Sequence, residues 1–113
     1  MINYSQLEDI FSQNNLTIHE YNVELNDEEI ETPFIVYTAT DGDSFEADGI
    51  NYFRLLNVGI ALLDEVLNFS LQRKIESIFD EYSTRYDKQI NFDDEARIYT
   101  ITYTISVVDN GED

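Results

Sequence analysis

The C-terminal part of the chain carries the pattern that most restricts the fold. From Tyr99 to Val107, large apolar residues alternate with small hydroxyl residues. A period of two places the apolar side chains on one face of a β-strand and the hydroxyls on the other. The apolar row is Tyr99, Ile101, Tyr103, Ile105 and Val107, and the hydroxyl row is Thr100, Thr102, Thr104 and Ser106. The hydroxyl face is either solvated or suited to contact with another protein.

The rest of the chain divides into helical and strand patterns. Apolar residues recur at helical spacing after Asn3, a predicted N-cap with Gln6 in capping-box position, and again from Asn68 to Tyr82. Strands are predicted at Leu16–Leu25, Phe34–Thr38, Phe45–Asp48, Tyr52–Leu63 and Tyr86–Phe92, with turns at Asp41–Asp43, Asp48–Gly49 and Asp93–Glu95. The prediction is one α+β domain, residues 1–113, with two helices on a mostly antiparallel sheet in the order α-β-β-β-β-α-β-β.

The charge is extreme and unevenly distributed. The chain has 24 acidic and 6 basic residues, a formal net charge of −18, and no lysine or arginine before Arg54. Such a charge repels nucleic acid and anionic membranes, so tight binding to either is not expected. The 42% hydrophobic content is too high for an acidic disordered chain. The charge leaves a protein that lets DNA pass, one that imitates DNA, or one with basic protein partners.

Targeting signals and chemical motifs are missing from the sequence. The N-terminus lacks the basic and apolar regions of a signal peptide, and the apolar stretch at Val58–Leu63 is too short to span a bilayer, so we expect a soluble protein that folds in a cytoplasm. There is no cysteine, and the single histidine, His19, is predicted to be a structural residue on a strand. We expect no catalytic residue, no metal, no cofactor and no enzyme activity.

Two acidic segments are candidate contact sites. The run at Asp27–Glu31 is either a solvated loop or a docking site for a basic partner. The segment Asp41–Asp48 superficially resembles a calcium loop, but Phe45 and Tyr52 stand where that loop needs oxygen ligands. The candidate acids are Asp27, Glu28, Glu29, Glu31, Asp41, Asp43, Glu46 and Asp48.

The order of these motifs resembles a known family. The motifs are a short N-terminal helix, an acidic loop with Pro33 before Phe34-Ile35-Val36-Tyr37, the segment Asp43-Ser44-Phe45-Glu46-Ala47-Asp48-Gly49, Tyr52 opening a long strand, a helix with Leu71, Ile75, Ile78 and Phe79, and a final Tyr-x-Ile-x-Tyr-x-Ile strand. Over nearly the whole chain, this arrangement is similar to the tail-completion, or tail-terminator, proteins of long-tailed bacteriophages.

The resemblance implies assembly rather than catalysis. Tail terminators form a homo-oligomeric ring, usually of six subunits, which caps the tail tube and then meets the head connector. A protein of this kind belongs to the virion and is assembled in the host cytoplasm. DNA must pass such a ring, and carboxylates lining the lumen repel phosphate. We therefore predict that some of the acids in Asp27–Glu31 or Asp41–Asp48 face the lumen.

An alternative function uses the same charge differently. A DNA-mimic inhibitor carries acids on one continuous face and occupies a host DNA-binding protein. A ring subunit instead needs two complementary contact surfaces. The clustering of all six bases between Arg54 and Arg97 favours the ring, because it leaves an acidic first half and a mixed second half.

Overall fold

The described part of the chain forms a five-stranded sheet with helices on one side. The computed structural model describes residues 2–21, 32–47 and 51–109, and for residues 41–47 and 51–54 it describes the backbone alone. In chain order the elements are a 3-10 turn at Tyr4–Gln6 that leads into α1 (Leu7–Gln13), β1 (His19–Glu20), β2 (Phe34–Ala47), β3 (Asn51–Asp64), α2 (Phe69–Glu81), β4 (Tyr86–Asp93) and β5 (Ile98–Asp109).

The sheet is mixed, with the strand order β1-β2-β3-β5-β4. The pairs β2–β3, β3–β5 and β4–β5 are antiparallel, and the short β1 runs parallel to β2. This confirms the α+β class and the mostly antiparallel sheet. The N-terminus is fixed to the same sheet, because the Val108 amide donates to the Ile2 carbonyl at 3.0 Å.

The predicted order of elements along the chain was wrong in one place. Asp41–Asp43 was expected to be a hairpin turn between two strands, but β2 runs through this segment to Ala47. The partner of Asp41 is Leu56, whereas that of Ser44 is Arg54, so β2 carries one residue more than β3 between these pairs. Such a β-bulge absorbs an extra residue without ending the strand. Two predicted strands are therefore a single strand of 14 residues.

The first predicted strand, Leu16–Leu25, begins later in the structure, at His19. Within the described residues, pairing covers His19 and Glu20, and both side chains are exposed. The buried residues here are Leu16 and Ile18. Residues 22–25 lie outside the described part of the chain.

The core lies between the helices and one face of the sheet. Burial alternates along β3 and β5, as the sequence predicted, and both helices add apolar residues above them. The Phe11 ring of α1 meets Phe79 of α2 at 6.4 Å, and Phe79 meets Tyr103 of β5 at 5.5 Å. The most deeply buried apolar residues are Ile2, Leu7, Phe11, Val58, Ile60, Leu62, Ile75, Phe79, Ile101, Tyr103 and Val107.

Asparagine side chains cap the 3-10 turn before α1 and the start of α2. Asn3 accepts a hydrogen bond from the Ser5 amide at 3.2 Å, so the predicted N-cap residue caps the 3-10 turn, whereas α1 itself follows Gln6, which makes no side-chain cap bond. Asn68 caps α2 by accepting from the Leu71 amide at 3.2 Å, and it does so in a left-handed conformation with φ of 49°. The Asn68 amide group also donates to Asp64 at 2.8 Å. The end of β3 is thereby tied to the start of α2.

Candidate interaction surfaces

Among the residues whose side chains the structure describes, the face of the sheet opposite the helices is uncharged along its three central strands. We call this surface, formed by alternate residues of β2, β3 and β5, the open face. Its members are Phe34, Val36, Thr38, Thr40, Leu55, Asn57, Gly59, Ala61, Leu63, Thr100, Thr102, Thr104, Ser106 and Val108. The hydroxyl row of the predicted last strand is thus one side of a wider neutral surface. Charge is absent here although more than a quarter of the chain is charged.

Hydrogen-bonding groups cross the open face in rows. In one row Thr38 and Thr104 flank Gly59, and in the next Thr40 and Ser106 flank Asn57. The Ser106 hydroxyl and the Asn57 side-chain oxygen are 3.4 Å apart. Hydroxyls and amides both donate and accept, so this surface can pair with a polar partner as well as with water.

Gly59 occupies the middle of the open face. A glycine inside a strand weakens it, and it often marks a position where another backbone or ligand approaches closely. A Cβ atom added to Gly59 meets no other atom of the described structure within 4 Å. The protein's own packing therefore does not require a glycine at this position.

A groove lies at one end of the open face, where the chain between α2 and β4 passes the sheet. It has a volume of about 1160 Å³. Its charged lining residues are Asp80, Arg85 and Asp87, and its floor includes Asn57 and Ser106. The groove is open to solvent and is lined by both polar and apolar side chains.

On the helix side, a carboxylate of α2 binds side chains of the sheet. Glu76 Oε2 accepts from the Tyr103 hydroxyl and from Lys88 Nζ, each at 2.7 Å. Burial opposes the Glu76 charge, but the hydrogen bonds from Lys88 and Tyr103 and the Lys88 charge outweigh it, so the Glu76 pKa is lowered. Burial, with the nearby Glu76 charge and hydrogen bond, raises the pKa of Tyr103 well above its ordinary value.

A second carboxylate–tyrosine contact fixes α1. The Tyr37 hydroxyl of β2 donates to Glu8, and the Tyr4 ring meets Tyr37 edge-on at 6.3 Å. Burial first, and then the bond to Glu8, raise the Tyr37 pKa. Both networks consist of a carboxylate held by tyrosine hydroxyls, an arrangement that anchors helices to the sheet. Neither pairing could be predicted from local sequence, because the partners are 27 and 29 residues apart.

The outer strand β4 presents apolar side chains to solvent. Ile90 and Phe92 are 47% and 45% exposed, and Phe92 packs against Tyr99 at 4.6 Å between ring centres. Every residue of β4 after Tyr86 is exposed. The strand itself was predicted, but its place at the edge depends on the strand order.

The candidate acids fall into two groups. Asp27, Glu28, Glu29, Glu31 and Asp48 lie outside the described residues. Asp41, Asp43 and Glu46 belong to β2, in its bulge and beyond it, where the backbone alone is described. The β2–β3 hairpin continues to the pair Ala47–Asn51, past the last β3–β5 pair at Arg54–Asp109. Whether these acids face a lumen stays a prediction.

His19 lies on β1 and stacks on Phe34, with ring centres 4.9 Å apart. Among the described residues, no three His, Asp or Glu side chains form a group that fits a metal ion. No helix in the described ranges is long and apolar enough to cross a membrane.

Comparison with known proteins adds no relative. No protein-family model matches the chain, and no curated protein matches it.

Proposed function

We propose that the protein is a structural subunit of a bacteriophage virion that works through protein–protein contacts. In this proposal it forms a homo-oligomeric ring, usually of six subunits, which completes the tail tube and joins it to the head. The order of sequence motifs supports the family, and the structure supplies a surface suited to the contact.

The open face is the observation that carries the proposal. Two copies of a chain with a net charge of −18 repel each other over most of their surfaces. Interface cores are depleted of charged residues, and the open face meets this requirement along all three central strands. A ring contact is heterologous, so the open face of one subunit meets a different patch on the next.

Passage of DNA gives the acidic segments a role in the same assembly. The β2–β3 hairpin carries Asp41, Asp43 and Glu46 away from the centre of the sheet. Carboxylates that face a lumen prevent phosphate from binding as DNA moves through the ring. We propose that this hairpin, or the Asp27–Glu31 segment, faces the lumen. A structure of the ring with both segments on its outside would exclude this role.

The experiment measures particle mass over a range of protein and salt concentrations, together with electron micrographs. The wild type is expected to form closed rings. Thr102→Asp places a charge in the open face and is expected to abolish the rings, whereas Thr102→Ser keeps the hydroxyl and the rings. Thr17→Asp, at an exposed site away from the sheet strands, controls for added charge.

Two results would contradict the proposal. Rings that form equally well from Thr102→Asp would show that the open face is not the contact. A wild type that stays monomeric throughout, and that retains a DNA-binding protein from a bacterial extract, would support the DNA-mimic alternative.

A further inference from the structure

We propose that two copies of the chain also associate through β4, in a two-fold antiparallel pairing centred on Gln89. The two sheets then become one continuous sheet. This contact is isologous and so differs from the heterologous contact of a ring. It does not rest on the proposed function, because it uses a different part of the molecule from the open face.

The backbone of β4 is oriented for such pairing. The Val108 amide points to the β4 side of β5, because it bonds Ile2 while β3 lies on the other side. Alternation then directs the Thr104 backbone groups to Asp87, its partner on β4. The odd-numbered residues of β4 therefore bond β5. The outward-pointing N–H and C=O groups belong to Tyr86, Lys88, Ile90 and Phe92.

Charge disfavours the two registers on either side of one centred on Gln89. A two-fold axis normal to the sheet places the same face of both copies on the same side. Opposed residues then differ by an even number of positions, so the axis lies midway between the two copies of one residue. An axis at Lys88 places that lysine opposite its own copy. An axis at Ile90 places Asp87 opposite Asp93. Like charges directly opposite destabilise a sheet, so both registers are unfavourable.

An axis at Gln89 brings complementary residues together. Arg85 directly precedes the first residue of β4, and it then lies opposite Asp93 of the other copy. The Asp93 carboxylate is held in place, because its Oδ1 accepts from the Glu95 amide at 2.9 Å and from the Ala96 amide at 3.2 Å. This register therefore gives two opposite-charge pairs and no opposed like charges within β4.

The same register covers the exposed apolar residues of β4. Tyr86 of one copy faces Phe92 of the other, and aromatic cross-strand pairs stabilise sheets. Tyr86 already packs on Phe79 at 5.3 Å, so the contact joins the two aromatic clusters. Ile90 meets the Lys88 side chain, whose charge is paired with Glu76 at 2.7 Å. Pairing thus buries Phe92 and Ile90 without facing either with an unpaired charge.

Net charge opposes the association and makes it salt-dependent. Each copy carries −18, and salt screens such repulsion over about 10 Å at 0.1 M. The dimer is therefore expected to strengthen as salt rises, although the two Arg85–Asp93 pairs weaken slightly.

Disulfide trapping tests the register directly, because the chain has no cysteine. At the two-fold axis the two Gln89 residues form a non-hydrogen-bonded pair with Cα atoms about 4.5 Å apart, within the range that a disulfide spans. Gln89→Cys is expected to give a covalent dimer under mild oxidation. Asn91→Cys is the matched control on the same strand and face. In this register the two copies of residue 91 are offset by four positions, which is about 13 Å along the strand.

We expect Gln89→Cys to cross-link at least about ten times faster than Asn91→Cys, and an equimolar mixture of Asp87→Cys and Asn91→Cys to cross-link as mixed dimers. Equal rates for the two single variants, or no dimer from Gln89→Cys at any salt concentration, would overturn the proposal.

Native sedimentation provides a second measurement. Arg85→Glu should weaken the dimer about tenfold, while Arg73→Glu, an equal change of charge on α2, should leave it unchanged. Equal weakening by both would attribute the effect to net charge and overturn the register.

Discussion

Glu76 accepts a hydrogen bond of 2.7 Å from the hydroxyl of Tyr103, a residue with no exposed surface. The bond joins the middle of α2 to the centre of β5. Removing the hydroxyl by Tyr103→Phe is expected to lower the free energy of unfolding by about 1–2 kcal/mol, since hydrogen bonds to charged groups contribute more than neutral ones. Urea denaturation measures this. Tyr99→Phe, on the same strand, should change stability by less; an equal loss would mean that the Glu76 contact is not the cause.

Acid should weaken the same contact. The Glu76 pKa is below its ordinary value of 4.5 in the folded protein. A lowered folded-state pKa gives stability that is present above the unfolded-state pKa and is lost as the pH falls through the folded-state pKa. The stability difference between wild type and Glu76→Gln is therefore expected to be constant near neutral pH and to shrink below about pH 4.5. Denaturation at a series of pH values checks this; a difference that grows toward acid would contradict it.

At alkaline pH, the ionisation of two buried tyrosines should destabilise the folded protein. Burial and carboxylate neighbours raise the pKa of Tyr37 and of Tyr103 above the ordinary value of 10.0. A raised folded-state pKa gives stability that is present below the unfolded-state pKa and is lost as the pH rises above it. We expect the ultraviolet absorbance of tyrosinate to show a fraction of the eight tyrosines ionising only as the protein unfolds. Tyr37→Phe should reduce that late fraction, and an unchanged late fraction would mean that Tyr37 ionises with the exposed tyrosines.

The cap of α2 should be sensitive to the kind of residue at position 68. Asn68→Ala removes the side-chain acceptor and also places an alanine at a φ of 49°, so we expect a loss of about 2 kcal/mol. Asn68→Gly removes the acceptor but tolerates this φ, so a loss of about 1 kcal/mol is expected. Thermal and urea unfolding measure both. Equal losses would show that backbone strain contributes nothing at this site.

Substitution of Gly59 should have opposite effects on the stability of the monomer and on ring formation. Gly59→Val is expected to raise the free energy of unfolding of the monomer by about 0.5–1 kcal/mol, because a β-branched residue is favoured in a strand and the space above Gly59 is open. The same valine fills the centre of the open face and should prevent ring formation. Unfolding of the dilute monomer and mass at high concentration measure the two effects. A destabilised monomer would contradict the first expectation, and intact rings the second.

The elements of the fold could be largely predicted, because local periodicity reports which side chains are buried. The alternation along Tyr99–Val107 identified the buried face of β5, and helical spacing identified α2 to within a residue or two. The aspartates and glycine at Asp41–Asp43 led to the incorrect prediction of a turn, since these residue types suit a bulge as well as a turn. Pairing with Leu56 and Arg54 decided between the two, and that information lies outside the segment itself.

The candidate surfaces were less predictable. The hydroxyl row of β5 was visible in the sequence, but its extension by Thr38, Thr40 and Asn57 required the register of β2 and β3. Gly59 was a signal that the sequence offered, as a glycine within a strand of apolar residues. The contacts of Glu76 and Glu8 had no local signature, because each joins a helix to a distant strand.

By itself, the sequence determined the charge, the α+β class, the helices and the alternating faces of the strands, since these depend on composition and on neighbours along the chain. The tertiary structure decided the strand order, which places β5 inside the sheet and β4 at its edge. It also decided that the neutral residues of three strands form one surface. Strand order and register arise from contacts between residues far apart in sequence, and a local pattern does not encode which strands will meet.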